Sequence, residues 1–182
     1  NPFTFDQSLF AMGGERVLDG GLLYRDYWDT KQPGIFWFFA LGIRLFGLSE
    51  EGIHLLELIY FTAFAAVLML TLRHAFDQRW GPAAAALLIV GFYWAITSDW
   101  HQTQPEGLVG FPMFIALWFA LEAARGGRGT FARWMLAGFG AGVVGVFKLL
   151  LVALPGLFWL VLLGARLADS RPGRGRDLGI AA

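Results

Sequence analysis

The sequence predicts an all-α, polytopic integral membrane protein of about five transmembrane helices, with amphipathic interfacial helices in an outer loop. Three observations carry that prediction. First, 57% of the 182 residues are hydrophobic and 15% are charged, whereas soluble domains are about 45–50% apolar and about a quarter charged. Second, several stretches reach the ~17–25 apolar residues that a spanning helix needs. Third, the arginines collect in the connections that follow alternate spans, as positive-inside loops do.

The first element is a polar stretch, residues 1–33. It carries five acids (Asp6, Glu15, Asp19, Asp26, Asp29) and three bases (Arg16, Arg25, Lys31). Within it, residues 7–19 have helical spacing, with Leu9, Phe10, Met12, Val17 and Leu18 on the apolar face, and Gly20-Gly21 is a fitting C-terminal stop. Residues 34–48 are too short to span comfortably and contain Arg44. Tyr24, Tyr27, Trp28 and Trp37 suit a membrane–water boundary. The helices at 7–19 and 34–47 are therefore expected to lie on the interface or to re-enter it. The alternative for the second is the outer half of a tilted span.

A transmembrane bundle is expected over 52–165. Spans are read at 52–72, 81–97 and 108–124. The stretch 131–165 is too long for one span and just enough for two. Charge decides the matter. If it forms a hairpin, at 131–147 and 149–165, then Arg73, Arg79, Arg125, Arg128, Arg133, Arg166, Arg171, Arg174 and Arg176 all fall on one side. The turn is then near Lys148. Residues 166–182 become a cytoplasmic Arg-rich segment, and the 1–33 loop, the 98–107 loop and Lys148 face outward.

Composition also excludes. The net charge is zero, so nothing argues for nucleic acid. There is no cysteine, so disulfides and thiolate metal sites are impossible. Residues 1–12 lack the pattern of a signal peptide. A start at Asn1 and an end in Gly-Ile-Ala-Ala read as a piece of a longer protein. Twelve of the fourteen bases are arginine, a bias associated with GC-rich bacterial genomes.

Four places are candidates for chemistry. Asp6 precedes an interfacial helix, where a carboxylate could act as a general base or simply cap the helix. Lys31 lies just before Pro33, which opens the next helix. An anion site at the helix N-terminus and a snorkelling lysine are both open. In the loop 98–107, Asp99, His101 and Glu106 could ligate a metal, but no fixed spacing supports it, and a solvated loop is the plainer reading. Glu106 stands apart, at the entrance of a span. Lys148 sits in an apolar run and calls for an anionic ligand or an ion pair, with Glu106 or Glu57 as partners. His54 and Glu57, one turn apart, are expected to pair with each other or with a neighbouring helix. Gly138, Gly140, Gly142 and Gly145 offer small faces for helix packing.

Taken in order, these residues resemble a known family. The run Asp6-Gln7, Gly20-Gly21, Tyr24-Arg25-Asp26-Tyr27-Trp28-Asp29-Thr30-Lys31-Gln32-Pro33 and Phe46-Gly47 resembles the first outer loop of the C-type polytopic glycosyltransferases. The nearest branch is dolichyl-phosphate-mannose protein mannosyltransferase-like, with aminoarabinose lipid A transferases as cousins. Gln104-Pro105-Glu106 and the Gly-rich helix ending at Lys148 resemble later motifs of that family. Departures are Gln7 for a second acid, Gln32 within Lys-Pro-Pro, Phe147 before Lys148, and His54 where arginine is common.

The resemblance implies a membrane enzyme that moves a sugar from a polyprenyl-phosphate donor to a lipid, glycan or protein acceptor, with inversion. It implies Asp6 as the catalytic base and Lys31 and Lys148 on the donor phosphate, with Tyr24, Arg25, Asp26 and Glu106 as further substrate-binding positions. No cofactor is required beyond the lipid-linked sugar, and a divalent metal is unsupported. The expected location is a bacterial inner membrane, with the active site facing the periplasm or exterior. A transporter or lipid-carrier flippase is the alternative. It would more often hold its charges near the midplane, between paired repeats. An assembly subunit is a third reading.

Overall fold

The computed structural model describes residues 5–73, 76, 78, 80–97 and 102–169. They form helices throughout, with a single isolated bridge, Leu23 to Tyr27, inside a loop. The helices are α1 (Phe5–Leu18), α2 (Pro33–Phe46), α3 (Glu50–Leu72), α4 (Gly81–Ile96), α5 (Pro105–Ala124), α6 (Thr130–Phe147) and α7 (Ala153–Asp169), with a 3-10 turn at Leu149–Val152 before α7. Four stretches are long and apolar enough to cross a membrane: Glu50–Leu72, Pro105–Ala124, Thr130–Phe147 and Leu149–Leu167. Many of their leucines, valines and phenylalanines lie on the outside, among them Leu70, Phe139, Leu150 and Val161. Such surfaces belong in lipid rather than water. The chain is a polytopic membrane protein. The stretch expected as a fifth span, 81–97, forms the shorter apolar helix α4, which is not among these four.

Local sequence explains the helix ends. Pro33, Pro82, Pro105 and Pro155 all stand in the first turn of a helix, where a missing N–H leaves no hydrogen bond unmade. The end of α1 is a Schellman closure. Gly20, at φ +79°, donates its N–H to Val17 and Gly21 donates to Arg16. Ser49 caps α3, its hydroxyl accepting the Gly52 N–H at 3.0 Å. A π turn interrupts α4 at Leu87–Gly91. It adds a residue to one turn and so rotates the face that Tyr93 presents just beyond it.

The chain forms two compact units, Asn1–Phe111 and Pro112–Ala182. In the first, α1 lies tight on α2. A Cβ at Gly13 would come within 2.4 Å of Phe36, and one at Gly14 within 2.9 Å of the Ala40 nitrogen. Phe10 fills the seam, edge-on to Phe36 and Phe39. Gly42 admits Ile53 of α3 in the same way. Small residues at such seams let van der Waals packing replace the hydrophobic effect that lipid does not supply. Tyr60 of α3 gathers Phe38, Phe61 and Phe111 around its ring. Its hydroxyl donates to the Leu108 carbonyl at 2.5 Å. That carbonyl has no helical donor four residues on, because Pro112 has no N–H, and a foreign hydroxyl satisfies it.

The second unit is a three-helix hairpin. The turn at 126–129 takes Gly126, Gly127 and Gly129 into positive φ, between +78° and +93°, where residues with a Cβ are strained. Gly140 of α6 approaches the backbone of Pro112 and Ala116, and Trp134 meets Trp159 of α7 edge-on. The stretch 131–165 does turn near Lys148, which leaves the helical conformation (φ −155°, ψ 96°). Arg133 reaches the carbonyls of Glu122 and Gly126, and Arg166 those of Ala123 and Ala124. All but that of Gly126 are among the last carbonyls of α5, where a cation both fills open acceptors and meets the negative end of the dipole. Arg125, Arg133 and Arg166 thus gather at one end of the unit, as the hairpin reading requires. Of the four glycines expected to serve packing, Gly140 does so, and Gly145 has Val152 at 3.1 Å. Gly138 and Gly142 face open space.

Candidate functional site

The first unit carries two polar constructions. One is the connection between α1 and α2. Asp26 draws it into a turn, its carboxylate accepting the Leu22 N–H at 2.8 Å and both Nε and Nη2 of Arg25 at 2.9 and 2.7 Å. The guanidinium beside it, and next the Leu22 N–H, hold the Asp26 pKa down to about 2. The same pairing raises the pKa of Arg25. Tyr24 sits at positive φ (+67°), fastened by its N–H to the Tyr27 carbonyl at 2.7 Å and by its hydroxyl to the Lys31 carbonyl at 2.8 Å. Tyr27 turns back on α1, donating to the Leu9 carbonyl at 2.7 Å. Partial burial, and next the charge of Asp29, push both tyrosine hydroxyls above their usual range.

This loop delivers Lys31 to the first helix. Its N–H bonds to Asp29 Oδ1 at 2.9 Å, and its ammonium stands 5.9 Å from the centre of the Phe10 ring, within the range of a cation–π contact. Phe10 lies one helical turn beyond Asp6. The loop therefore brings the Lys31 charge to the helix that bears Asp6, and holds it just before the N-terminus of α2. Asp6 itself is in the first turn of α1 and exposed. With the helix starting at Phe5, Asp6 lies inside it rather than at its cap.

The second construction centres on Glu57 of α3, which is fully buried. Four donors converge on its carboxylate. Tyr93 of α4 donates its hydroxyl to Oε1 at 2.5 Å and the Thr103 N–H reaches the same oxygen at 2.6 Å. The Thr103 hydroxyl reaches Oε2 at 3.0 Å, and His54 Nδ1 faces that oxygen at 3.0 Å. His54 Nε2 in turn lies 3.7 Å from Glu50. His54 and Glu57 pair as expected from sequence. The larger assembly was not foreseen. Thr103 is a β-branched residue at φ +52°, a conformation that costs roughly 1–3 kcal/mol and persists only where the surroundings impose it. Glu57 imposes it with two bonds. Gly107 makes room for Tyr93, since a Cβ there would lie 2.8 Å from the ring.

Helix α1 meets the segment that carries Thr103. Gln7, buried beside Asp6 in the chain, donates its side-chain amide to the Gln102 carbonyl at 3.2 Å. Glu106 is exposed in the first turn of α5 and takes part in an interaction of its own. Lys148 belongs to the second unit, half-buried at the end of α6 and also partnered. Asp99 and His101 lie outside the described residues. Among the described residues, no group of three or more acids and histidines is arranged to hold a metal.

The exposed apolar helices define a polytopic membrane protein, and the comparison with known families gives its type, that of a membrane glycosyltransferase. The model of the dolichyl-phosphate-mannose-protein mannosyltransferase family matches residues 30–172, most of the chain. The chain belongs to that family. The match takes in Lys31, Glu57, Thr103, Glu106 and Lys148, and begins after Asp6 and Tyr24–Asp26. No curated protein and no solved structure gave a match.

Proposed function

We propose that the protein transfers a sugar from a polyprenyl-phosphate donor to an extracytoplasmic acceptor, with inversion at the anomeric carbon. Asp6 is the base. Its carboxylate takes the proton of the acceptor hydroxyl or amine as the acceptor lone pair attacks the anomeric carbon. The bond from that carbon to the phosphate oxygen breaks, and its electron pair leaves with the lipid phosphate. The leaving group needs positive charge more than a proton, and Lys31 supplies it. Tyr24, Arg25, Asp26 and Glu106 shape the substrate side. The Tyr24 hydroxyl and the Asp26 carboxylate do so through the turn they hold.

In this reading the segment 1–33 faces outward from a bacterial inner membrane, α2 lies at the interface, and α4 completes the five spans. The arginine-rich end of the second unit faces the cytoplasm. The family match carries the reading. The placement of Lys31 against the helix that bears Asp6 supports the assignment of roles.

The test is transfer from a labelled polyprenyl-phosphate sugar by the full-length protein, with Asp6 intact and with Asp6→Asn. Turnover is expected to fall by about a hundredfold or more, the scale of a lost general base, while the donor still binds. Undiminished turnover would return Asp6 to a structural role. Movement of intact lipid-linked sugar across the membrane without transfer would favour a flippase.

A further inference from the structure

Resting on the transferase reading, we propose that Glu57 is a positioning residue for the reaction, acting through Thr103 and Gln102 on the turn of α1 that carries Asp6. The chain of contacts is continuous within the first unit. Glu57 is buried in α3 and grips both the N–H and the hydroxyl of Thr103. That double grip sets Thr103 in its left-handed conformation, which aims the preceding Gln102 carbonyl at the Gln7 side chain. Gln7 is buried and adjoins Asp6. Tyr93 braces the same arrangement from α4, bonding to Glu57 and accepting a share of the Thr103 N–H at 3.1 Å.

The chemistry suits a fixed support. A carboxylate is an acceptor on every side, and four donors on two oxygens leave it no alternative orientation. Charge-assisted hydrogen bonds of this kind are short and directional. Lipid offers no water to replace them if they are lost. Asp6 is exposed on the first turn of α1, and the Gln7–Gln102 bond ties that turn to the node. Residues that touch no substrate but set the geometry of one that does are felt as lost turnover rather than lost binding.

The test uses the full-length protein in lipid nanodiscs, with Glu57→Gln and Thr103→Ala. Glutamine keeps the shape but sets an NH2 against donors. Alanine removes the Thr103 hydroxyl bond, with the side-chain methyl, and keeps the N–H bond. Hydrogen exchange is read by segment. In Glu57→Gln it is expected to rise about tenfold, both over 102–108 and over 7–11 of α1, and Thr103→Ala should give a smaller rise in the same two segments. A change confined to the surroundings of positions 57 and 103, with α1 unaltered, would overturn the coupling. If Glu57→Gln does not assemble, Thr103→Ala decides alone. In transfer assays, Glu57→Gln should lower kcat about tenfold and leave the donor KM within about twofold. Combined with Gln7→Ala, it should be little worse than the poorer single variant, because both cut one line. Unchanged kcat, or strict additivity, would overturn the positioning role and leave Asp6 as base. Absence of transfer by the unaltered protein would count against the transferase reading alone, and the exchange experiment would still decide the coupling.

Discussion

Glu57 and Asp26 are two carboxylates with similar hydrogen-bond partners and opposite surroundings. Each accepts a backbone N–H and bonds to a neighbouring cation-forming side chain, Glu57 to His54 and Asp26 to Arg25. Asp26 sits in an exposed turn, where water stands ready to replace any partner. Glu57 is fully buried, two turns into α3. The same bonds therefore organise one turn of loop in the first case and tie three elements together in the second. The cost of losing a bond is set by what replaces it, not by the bond itself.

The widest separation between the two should come from removing the buried acid. Glu57→Leu strands four donors in a dry site, and a loss of about 3–5 kcal/mol is expected, read as a drop in the thermal unfolding temperature of the full-length protein in detergent. A stability near that of the unaltered protein would mean that the node relaxes easily and that the contrast is false. Tyr93→Phe takes away one donor and keeps the ring against Phe61. About 1.5–3 kcal/mol is expected in the same assay, the scale of a hydrogen bond to a charged group.

The smallest effect belongs to Asp26. Asp26→Asn should leave the unfolding temperature unchanged and show itself only as faster exchange of the Leu22 amide. The pH dependence follows from the direction of its shift. Its folded pKa, about 2, lies below the ordinary 3.8, so what it contributes is complete above about 3.8 and fades as pH falls toward 2. Protection of the Leu22 amide should disappear over that window. Persistence of protection below it would show that Tyr24 and Tyr27 hold the turn without Asp26.

Much of the architecture was legible because it rests on local patterns. Apolar length located four of the five expected spans, prolines and Gly20-Gly21 located helix ends, and arginine placement foretold the hairpin at Lys148. The alternation of charge around 131–165 succeeded because arginines that follow α5 and α7 must share an end if the chain turns, and Arg133 and Arg166 do meet on the α5 carboxyl end. Packing was less legible. Gly138 and Gly142 looked like seam residues and face open space, whereas Gly13 and Gly14, unremarked in a polar stretch, carry the tightest helix contact. A glycine reports that a close approach is possible, and only the neighbouring helix decides whether it is used.

The site divides along the same line. Sequence alone determined the class of protein, the polar loop before the bundle, the position of Lys31 at a helix N-terminus and the His54–Glu57 pair, because each depends on residues within a turn or two of one another or on bulk partition into lipid. Tertiary structure alone decided that Tyr93 and Thr103 converge on Glu57, that Thr103 is bent to positive φ, and that Gln7 meets Gln102. Those contacts join residues 36, 46 and 95 positions apart. No local propensity encodes such distances. They arise when a buried carboxylate, cut off from water, must find its donors wherever the fold brings them.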